Sequence, residues 1–262
     1  MEVRPKKSLG QHFLRDLNIA RKIVDSLRLE ATPHVVEVGP GMGVLTQFLL
    51  ERPGADARFI EIDRESVDYL RSHFSQAADR VMEADFLQAD LSRIFGAPLA
   101  VIGNFPYNIS SQIFFRILRY RDWVPEVVCM VQKEVAQRLA SPPGNRQYGI
   151  LSVLLQAFYD IDYLFTVPEQ VFSPPPKVKS AVIRLTRNAT ARLDCDEDLF
   201  FTVVKTAFNQ RRKTLSNSLK GLLHGSEVRD PLLSMRPEQL GVAGFVRLTT
   251  WCEMAKNNNS TK

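Results

Sequence analysis

The sequence predicts an α/β fold in which a mainly parallel, doubly wound sheet is followed by a small helical domain. Through the first two-thirds of the chain, short runs rich in valine and isoleucine alternate with helical patterns. Alternation at this spacing is typical of βαβ units, whose strands lie parallel. After about residue 188 the strand-like runs stop. We therefore predict two domains, residues 1–187 and residues 188–262.

The predicted elements follow this division. Strand-like runs cover residues 34–38, 57–62, 80–84, 99–103, 126–132, 158–167 and 179–186. The last two are separated by a proline-rich link and are compatible with an antiparallel hairpin at one edge of the sheet. Helical patterns cover residues 64–74 and 133–140 in the first domain, and residues 197–209, 211–223 and 237–255 in the second.

The composition, with 45% hydrophobic and 24% charged residues, is that of an ordinary globular protein and excludes collagen and disordered chains. No apolar run approaches the roughly 20 residues that cross a bilayer, and no apolar segment follows the basic N-terminus as in a secretory signal. Three cysteines lie far apart without a CxxC pair, and the histidines are scattered. This pattern argues against disulfides and metal sites. We expect a cytoplasmic protein without a metal and without a membrane contact.

Charge is distributed unevenly along the chain. Residues 1–28 carry a net charge of +4, residues 29–186 carry −3, and residues 187–262 carry +4. A mildly acidic centre between two basic ends suggests a catalytic body whose flanks bind a polyanion. An ordinary solvated surface is the alternative.

A glycine-rich loop, Gly39-Pro40-Gly41-Met42-Gly43, follows the first strand. Glycines let the backbone turn sharply and approach a ligand closely, and in open parallel sheets ligands bind beyond the carboxyl ends of the strands. The spacing differs from the G-x-G-x-x-G of dinucleotide folds, and no Gly-Lys-Ser/Thr follows as in triphosphate sites. The loop favours a ligand site, with a purely structural turn as the alternative.

One polar residue follows each of the next three strands: Glu61, Asp85 and Asn104. Because parallel strands end at one edge of the sheet, these side chains should converge on one crevice. An acid at Glu61 can accept hydrogen bonds from both hydroxyls of a ribose. Taken singly, Glu61 or Asp85 would more often be a helix cap or a solvated charge. The regular series favours a site.

Asn104-Phe105-Pro106-Tyr107 is the most specific element of the chain. Together with the glycine loop and the strand-end acid it resembles class I S-adenosylmethionine-dependent methyltransferases that act on the exocyclic amine of adenine. That resemblance implies a Rossmann-like doubly wound sheet and S-adenosyl-L-methionine as the cofactor. It also implies that the Asn104 oxygen and a neighbouring carbonyl hold the amine, whose lone pair is otherwise delocalised into the ring. Pro106 stiffens the turn, and Tyr107 offers a flat face to an unstacked base.

Three further segments narrow the resemblance: residues 8–14 (SLGQHFL), residues 172–180 (FSPPPKVKS) and residues 207–219 (AFNQRRKTLSNSL). They are similar to segments of the KsgA/Erm ribosomal RNA adenine dimethyltransferases, which more often have Asn where this chain has His12. The resemblance covers about residues 4–220. Chain length and the C-terminal stretch favour the KsgA branch.

The resemblance implies roles for individual residues. Cofactor contacts are predicted for His12, Leu14, Gly39, Gly41, Glu61, Asp85 and Asn104. The target base is predicted to meet Asn104, the backbone carbonyl of Phe105, Pro106, Tyr107 and, as a second wall, Phe172. From the two basic ends we predict RNA contacts by Arg4, Lys6, Lys7, Arg211, Arg212 and Lys213.

The implied reaction transfers two methyl groups to each of two adjacent adenosines in a hairpin near the 3′ end of small-subunit (16S) rRNA. The implied partner is the small ribosomal subunit, and we expect a monomer. One alternative is a ribosome-assembly binding factor in which catalysis is secondary, but a pure binder has no need of the complete crevice. DNA adenine methylation is a third hypothesis. It predicts a domain that reads base edges, and the short helical tail does not resemble such a domain.

Overall fold

The computed structural model describes residues 3, 5–6, 9–223 and 230–260, with side chains up to residue 256. These residues divide into two compact units. The first comprises Met1–Ala136 and Asp160–Arg187, and the second comprises Gln137–Tyr159 and Asn188–Lys262. The predicted boundary after residue 187 coincides with a boundary between the units. Residues 137–159, which the sequence assigned to the first domain, group with the second unit instead.

Nine strands are described, and seven of them form one sheet. They are β1 (Phe13–Leu14), β2 (His34–Val38), β3 (Asp56–Glu61), β4 (Val81–Glu83), β5 (Ala100–Asn104), β6 (Glu126–Gln132), β7 (Tyr159–Val167), β8 (Phe172–Ser173) and β9 (Ser180–Arg187). The order in the large sheet is β4-β3-β2-β5-β6-β9-β7, and β1 pairs with β8 in a separate two-stranded sheet.

Strands β4, β3, β2, β5 and β6 run parallel, and β9 runs antiparallel to β6. The strand order reverses between β2 and β5, which is where ligands bind in open parallel sheets. Val35 and Ile102, on these two strands, are completely buried, as expected of a sheet covered on both sides. The prediction of a parallel-dominated α/β sheet is confirmed, and β7 occupies an edge beside β9, as predicted for the last two runs.

The helices connect and flank these strands. They are α1 (Leu17–Asp25), α2 (Thr46–Glu51), α3 (Arg64–His73), α4 (Leu91–Phe95), α5 (Ser110–Arg119), α6 (Lys133–Ala140), α7 (Ile150–Gln156), α8 (Glu197–Asn209), α9 (Leu215–Ser218) and α10 (Val242–Ser260). Short 3-10 helices cover Ser75–Arg80, Glu169–Val171, Pro231–Ser234 and Pro237–Gln239. In the part of the chain that the structure describes, every helix is too short or too polar to cross a bilayer.

Helix α8 has the predicted bounds, because the Asp196 carboxylate accepts a hydrogen bond from the backbone N–H of Leu199 and caps its start. The predicted helix at residues 211–223 is wrong, since only α9 forms there. The hydroxyl of Thr214 lies 3.0 Å from that of Ser216 and accepts from the Asn217 amide at 3.0 Å. Short polar side chains that bond locally in this way favour turns over a continuous helix.

Candidate active site

A cavity of about 240 Å³ lies at the carboxyl ends of β2, β3, β4 and β5, and its lining belongs to the first unit. It brings together most of the predicted site residues: His12, Gly39, Gly41, Glu61, Asp85, Asn104, Phe105, Pro106 and Tyr107. The convergence predicted from one polar residue per strand end is therefore present.

The loop after β2 depends on glycine at two positions. Gly39 has φ +66°, and a Cβ atom there would meet nothing within 4 Å, so the backbone faces open space in the cavity. Gly41 has φ +57°, and a Cβ atom there would lie 2.9 Å from the Phe13 ring. A side chain at Gly41 would therefore strain the backbone and push Phe13 away.

Glu61 ends β3 and is 3% exposed. Its Oε2 accepts from the Gly41 N–H at 3.0 Å and its Oε1 accepts from the Asp63 N–H at 2.9 Å. Burial raises the pKa of this carboxyl, and the backbone N–H groups of Asp63 and Gly41 oppose the shift. A buried carboxylate with acceptor capacity left over suits a ligand that brings hydroxyl donors.

Asp85 also lines the cavity, but part of its role is structural. Its Oδ1 accepts from the Leu87 N–H at 2.8 Å, which closes an Asx turn after β4. Asp85 therefore caps a turn and not a helix, since the next helix begins at Leu91 with Asp90 as its N-cap, and the second carboxylate oxygen of Asp85 adds polarity to the cavity.

Asn104 is the last residue of β5, and its Nδ2 donates to the His12 carbonyl at 2.9 Å. This bond fixes the amide plane and leaves the side-chain oxygen as the acceptor on the other side. The Phe105 N–H donates to the Met130 carbonyl at 3.0 Å, and the Phe105 ring is buried. Pro106 accepts from the Ile109 N–H at 3.2 Å, so the turn that follows is closed.

Tyr107 is held at both its hydroxyl and its ring face. Its hydroxyl lies 2.6 Å from the Ser180 hydroxyl, and burial raises the pKa of the phenol. The His12 ring stacks on it with centroids 5.4 Å apart, and the His12 Nδ1 donates to the Pro174 carbonyl at 2.8 Å. The chain thus builds a small stack of two rings on one wall of the cavity.

One wall of the cavity comes from the N-terminal segment that carries the family resemblance, of which only His12 and Leu14 had been predicted as contacts. Residues 9–14, which we call the strap, run across the cavity, and Leu9, Gly10, Gln11 and Phe13 line it alongside His12. Apolar lining from Ile62 and Leu87 was also missed. Their position directly after β3 and just beyond β4 was the available signal, because residues at those ends face the crevice.

Two predicted residues lie elsewhere. Leu14 lines an adjoining hollow of about 260 Å³ with the buried Glu37. Phe172 is 3% exposed and packs in the hydrophobic core with Leu14. The predicted place of Phe172 beside the base needs this correction: β8 pairs with β1, and that pairing holds the ring in the core.

The predicted RNA contacts differ in their surroundings. Arg4 and Lys7 lie outside the described residues. Lys6 is not free, because its ammonium pairs with Asp63 and Glu65. In the second unit, Arg211 pairs with Glu238 at 3.6 Å and also donates to a backbone carbonyl, whereas Arg212 and Lys213 are exposed.

Comparison with known proteins identifies the family. The model of a family described as ribosomal RNA adenine dimethylase matches residues 3–249. This chain belongs to the ribosomal RNA adenine dimethylase family. Two relatives carry the name ribosomal RNA small subunit methyltransferase A. The protein of Parabacteroides distasonis is 59% identical and aligns over 94% of this chain and 93% of its own length. The protein of Porphyromonas gingivalis is also 59% identical and aligns over 95% of this chain and 98% of its own length.

Solved structures agree with this assignment. A dimethyladenosine transferase from Plasmodium falciparum has a TM-score of 0.76 at 23% identity, covering 94% of this chain and 98% of its own, and shows the same fold. The 23S rRNA methyltransferase ErmE has a TM-score of 0.68 at 26% identity, covering 91% of this chain and 99% of its own. The predicted family and class I methyltransferase fold are confirmed.

As a ribosomal RNA adenine dimethylase, the chain is an S-adenosylmethionine-dependent rRNA methyltransferase, as predicted. The cavity fits this cofactor. Gly39 leaves open space for it, Glu61 offers a buried acceptor to hydroxyl groups, and Ile62 and Leu87 offer apolar surface to a flat ring. Within the described residues no cluster of three or more potential metal ligands occurs.

Proposed function

We propose that this chain dimethylates the N6 amines of two adjacent adenosines in the 3′-terminal hairpin of small-subunit (16S) rRNA. The proposal rests on Asn104. Its side-chain amide is fixed by a hydrogen bond to the His12 carbonyl, and it lines the same cavity as Glu61. The names of the relatives support the small subunit as the partner. We further propose that the enzyme acts as a monomer in the cytoplasm.

The residues divide the cavity into two sides. Glu61, Ile62, Asp85 and Leu87 follow β3 and β4 and would hold the cofactor. Asn104 and Tyr107 follow β5 and would hold the base. Bound S-adenosylmethionine supplies a methyl group made electrophilic by its positively charged sulfur. Asn104 would meet the cofactor as well as the base, as the family resemblance implies.

In this proposal the chain acts on the amine by positioning it. The Asn104 side-chain oxygen and the Phe105 carbonyl accept hydrogen bonds from the two N–H groups of the adenine amine, so that the lone pair of the amine nitrogen points at the methyl group. These bonds strengthen as the nitrogen gains positive charge, and they therefore favour the transition state over the ground state. Tyr107, braced by Ser180, supplies the flat face on which the extruded base rests.

The second domain, residues 188–262, is proposed to bind rRNA. Its basic character and the exposed side chains of Arg212 and Lys213 support this assignment. A contact of this kind is electrostatic and reads the RNA backbone, which leaves selection of the adenosines to the cavity.

Single-turnover methylation of small subunits, resolving mono- from dimethyladenosine, tests the proposal. Asn104→Ala should slow transfer by about 100-fold or more, the usual effect of removing one transition-state hydrogen bond, and should bind subunits within about twofold of wild type. Tyr107→Ala should weaken positioning and raise the share of monomethyl product, because the bulkier amine depends more on the stack.

Asn108→Ala is the matched control. Asn108 lines the same cavity and is the same residue type, but the proposal gives it no part in holding the amine. Wild-type transfer rates in Asn104→Ala, or an equal loss in both variants, would refute the role of Asn104.

A further inference from the structure

Lys6 makes a short ion pair with Asp63, a residue close to the cavity. Its Nζ lies 2.6 Å from Asp63 Oδ1 and 3.1 Å from Glu65 Oε1. The Asp63 side chain is 2% exposed, whereas that of Lys6 is 37% exposed. The ammonium is therefore committed to two carboxylates of this chain, where the charge pattern had predicted an RNA phosphate.

Asp63 is fixed to the cofactor side of the cavity. It follows β3 by two residues, and its N–H donates to Glu61 at 2.9 Å. Its Oδ2 accepts from the Ser66 hydroxyl at 3.1 Å. Burial would raise the pKa of Asp63, but the hydrogen bonds from Lys6 and Ser66 outweigh it and hold the pKa below its usual value. Asp63 is thus an ionised anchor next to the residue proposed to bind the cofactor hydroxyls.

Lys6 is in turn joined to the strap. Its backbone N–H donates to Gln11 Oε1 at 2.8 Å, and its carbonyl accepts from the Leu9 N–H at 3.1 Å. At the other end of the strap, the His12 carbonyl accepts from Asn104, and Leu14 pairs with Phe172. The strap therefore crosses the cavity between two anchors.

We propose that Lys6 is a positioning residue whose ion pair with Asp63 fastens the strap across the cofactor side of the cavity and slows cofactor release. The inference rests on cofactor binding in this cavity, as described above. One anchor is made by hydrogen bonds and strand pairing. The other is made by the Lys6 ammonium together with the Gln11 side chain, which also hydrogen-bonds to Asp63, so loss of the ammonium would loosen that end of the strap.

Binding of S-adenosylhomocysteine in the absence of RNA tests this proposal. Lys6→Gln should weaken binding about three- to tenfold, the range of a charge-assisted hydrogen bond at a partly exposed site, mainly through faster dissociation. Hydrogen exchange of the backbone amides at residues 9–14 should rise in the ligand-free protein. The KM for S-adenosylmethionine should rise while kcat at saturation stays within about twofold, since Lys6 touches no reacting atom.

Three further variants complete the experiment. Asp63→Asn should cause at least as large a loss, because Asp63 also accepts from Ser66 and hydrogen-bonds to Gln11, and the double variant should lose less than the sum of the two, because both changes break the Lys6–Asp63 pair. Lys220→Gln removes one positive charge from an exposed site in the second unit and should leave cofactor binding unchanged. Glu61→Gln reports whether the cavity binds the cofactor at all.

The outcomes are distinguishable. Unchanged affinity and unchanged exchange in Lys6→Gln, with Glu61→Gln impaired, would overturn the fastening role and leave the proposed function standing. A lower salt dependence of rRNA binding in Lys6→Gln, with cofactor affinity intact, would restore the RNA contact predicted from charge. Unchanged binding in Glu61→Gln as well would refute the cofactor side of the cavity itself.

Discussion

Glu37 should make the enzyme less stable as pH rises from 4.5 to about 8. This residue lies in β2, between β3 and β5, is 1% exposed, and accepts a hydrogen bond from the Thr46 hydroxyl at 2.7 Å. Burial raises the pKa of its carboxyl from 4.5 to about 8, and the Thr46 bond opposes the shift. At neutral pH the folded protein thus keeps a proton that the unfolded chain releases.

The size of the effect follows from that difference. Between pH 4.5 and about 8, the folded state binds more protons than the unfolded state, so stability falls by at most about 1.4 kcal/mol per pH unit. The full loss is on the order of 5 kcal/mol and is complete above the folded-state pKa. It is absent below the unfolded-state pKa, where both states are protonated.

Urea unfolding of the cofactor-free protein at pH values from 5 to 9 would measure this loss. Glu37→Gln keeps the shape and the acceptor for Thr46 but cannot ionise, so the stability of wild type relative to the variant should decline steadily with pH. Glu83→Gln removes an exposed carboxyl from the nearby β4 and serves as the control. A constant difference between wild type and Glu37→Gln across this range would refute the raised pKa.

Three other outcomes are expected. Glu61→Gln should weaken S-adenosylmethionine binding by about 1.5–3 kcal/mol in a folded protein, because it removes the charge from the buried acceptor; calorimetric titration showing wild-type affinity would contradict this. Phe172→Ala should lower the free energy of unfolding by about 3–5 kcal/mol, because the ring is buried in the core; denaturation showing no loss would contradict its packing in the core. Charge reversal of Arg212 and Lys213 should flatten the dependence of log rRNA affinity on log salt by about 1.4 or more, and an unaltered slope in filter binding would show that neither meets a phosphate.

Much of the site was predictable because parallel strands impose it. Glu61, Asp85 and Asn104 are far apart in sequence, yet each follows a strand of one sheet, and the fold alone brings their side chains to one edge. The runs at 34–38 and 126–132 match β2 and β6 residue for residue, because buried parallel strands are continuous apolar segments. Local pattern and topology sufficed for these elements.

The remaining features depend on partners distant in the chain. The strap carries no periodic pattern, and its place comes from His12 meeting Pro174, 162 residues away. The net charge near the N-terminus predicted an RNA contact for Lys6. In the structure Lys6 instead pairs with a carboxylate, whose position a count of charges cannot give. Phe172 belongs to a segment whose family resemblance predicts a contact with the base. Its burial is instead decided by the pairing of β8 with β1.

The pairing of β1 with β8 has a consequence for how the enzyme is made. Leu14 lies opposite Phe172, so this contact joins a segment near the start of the sheet domain with residues synthesised much later. Contacts of such sequence separation form late, because the entropy of closing the intervening loop must be overcome first. We therefore expect the nascent chain to pair its parallel strands β2 to β6 before the cavity acquires its last wall. A nascent chain that has not yet reached β8 would then be unable to retain the cofactor.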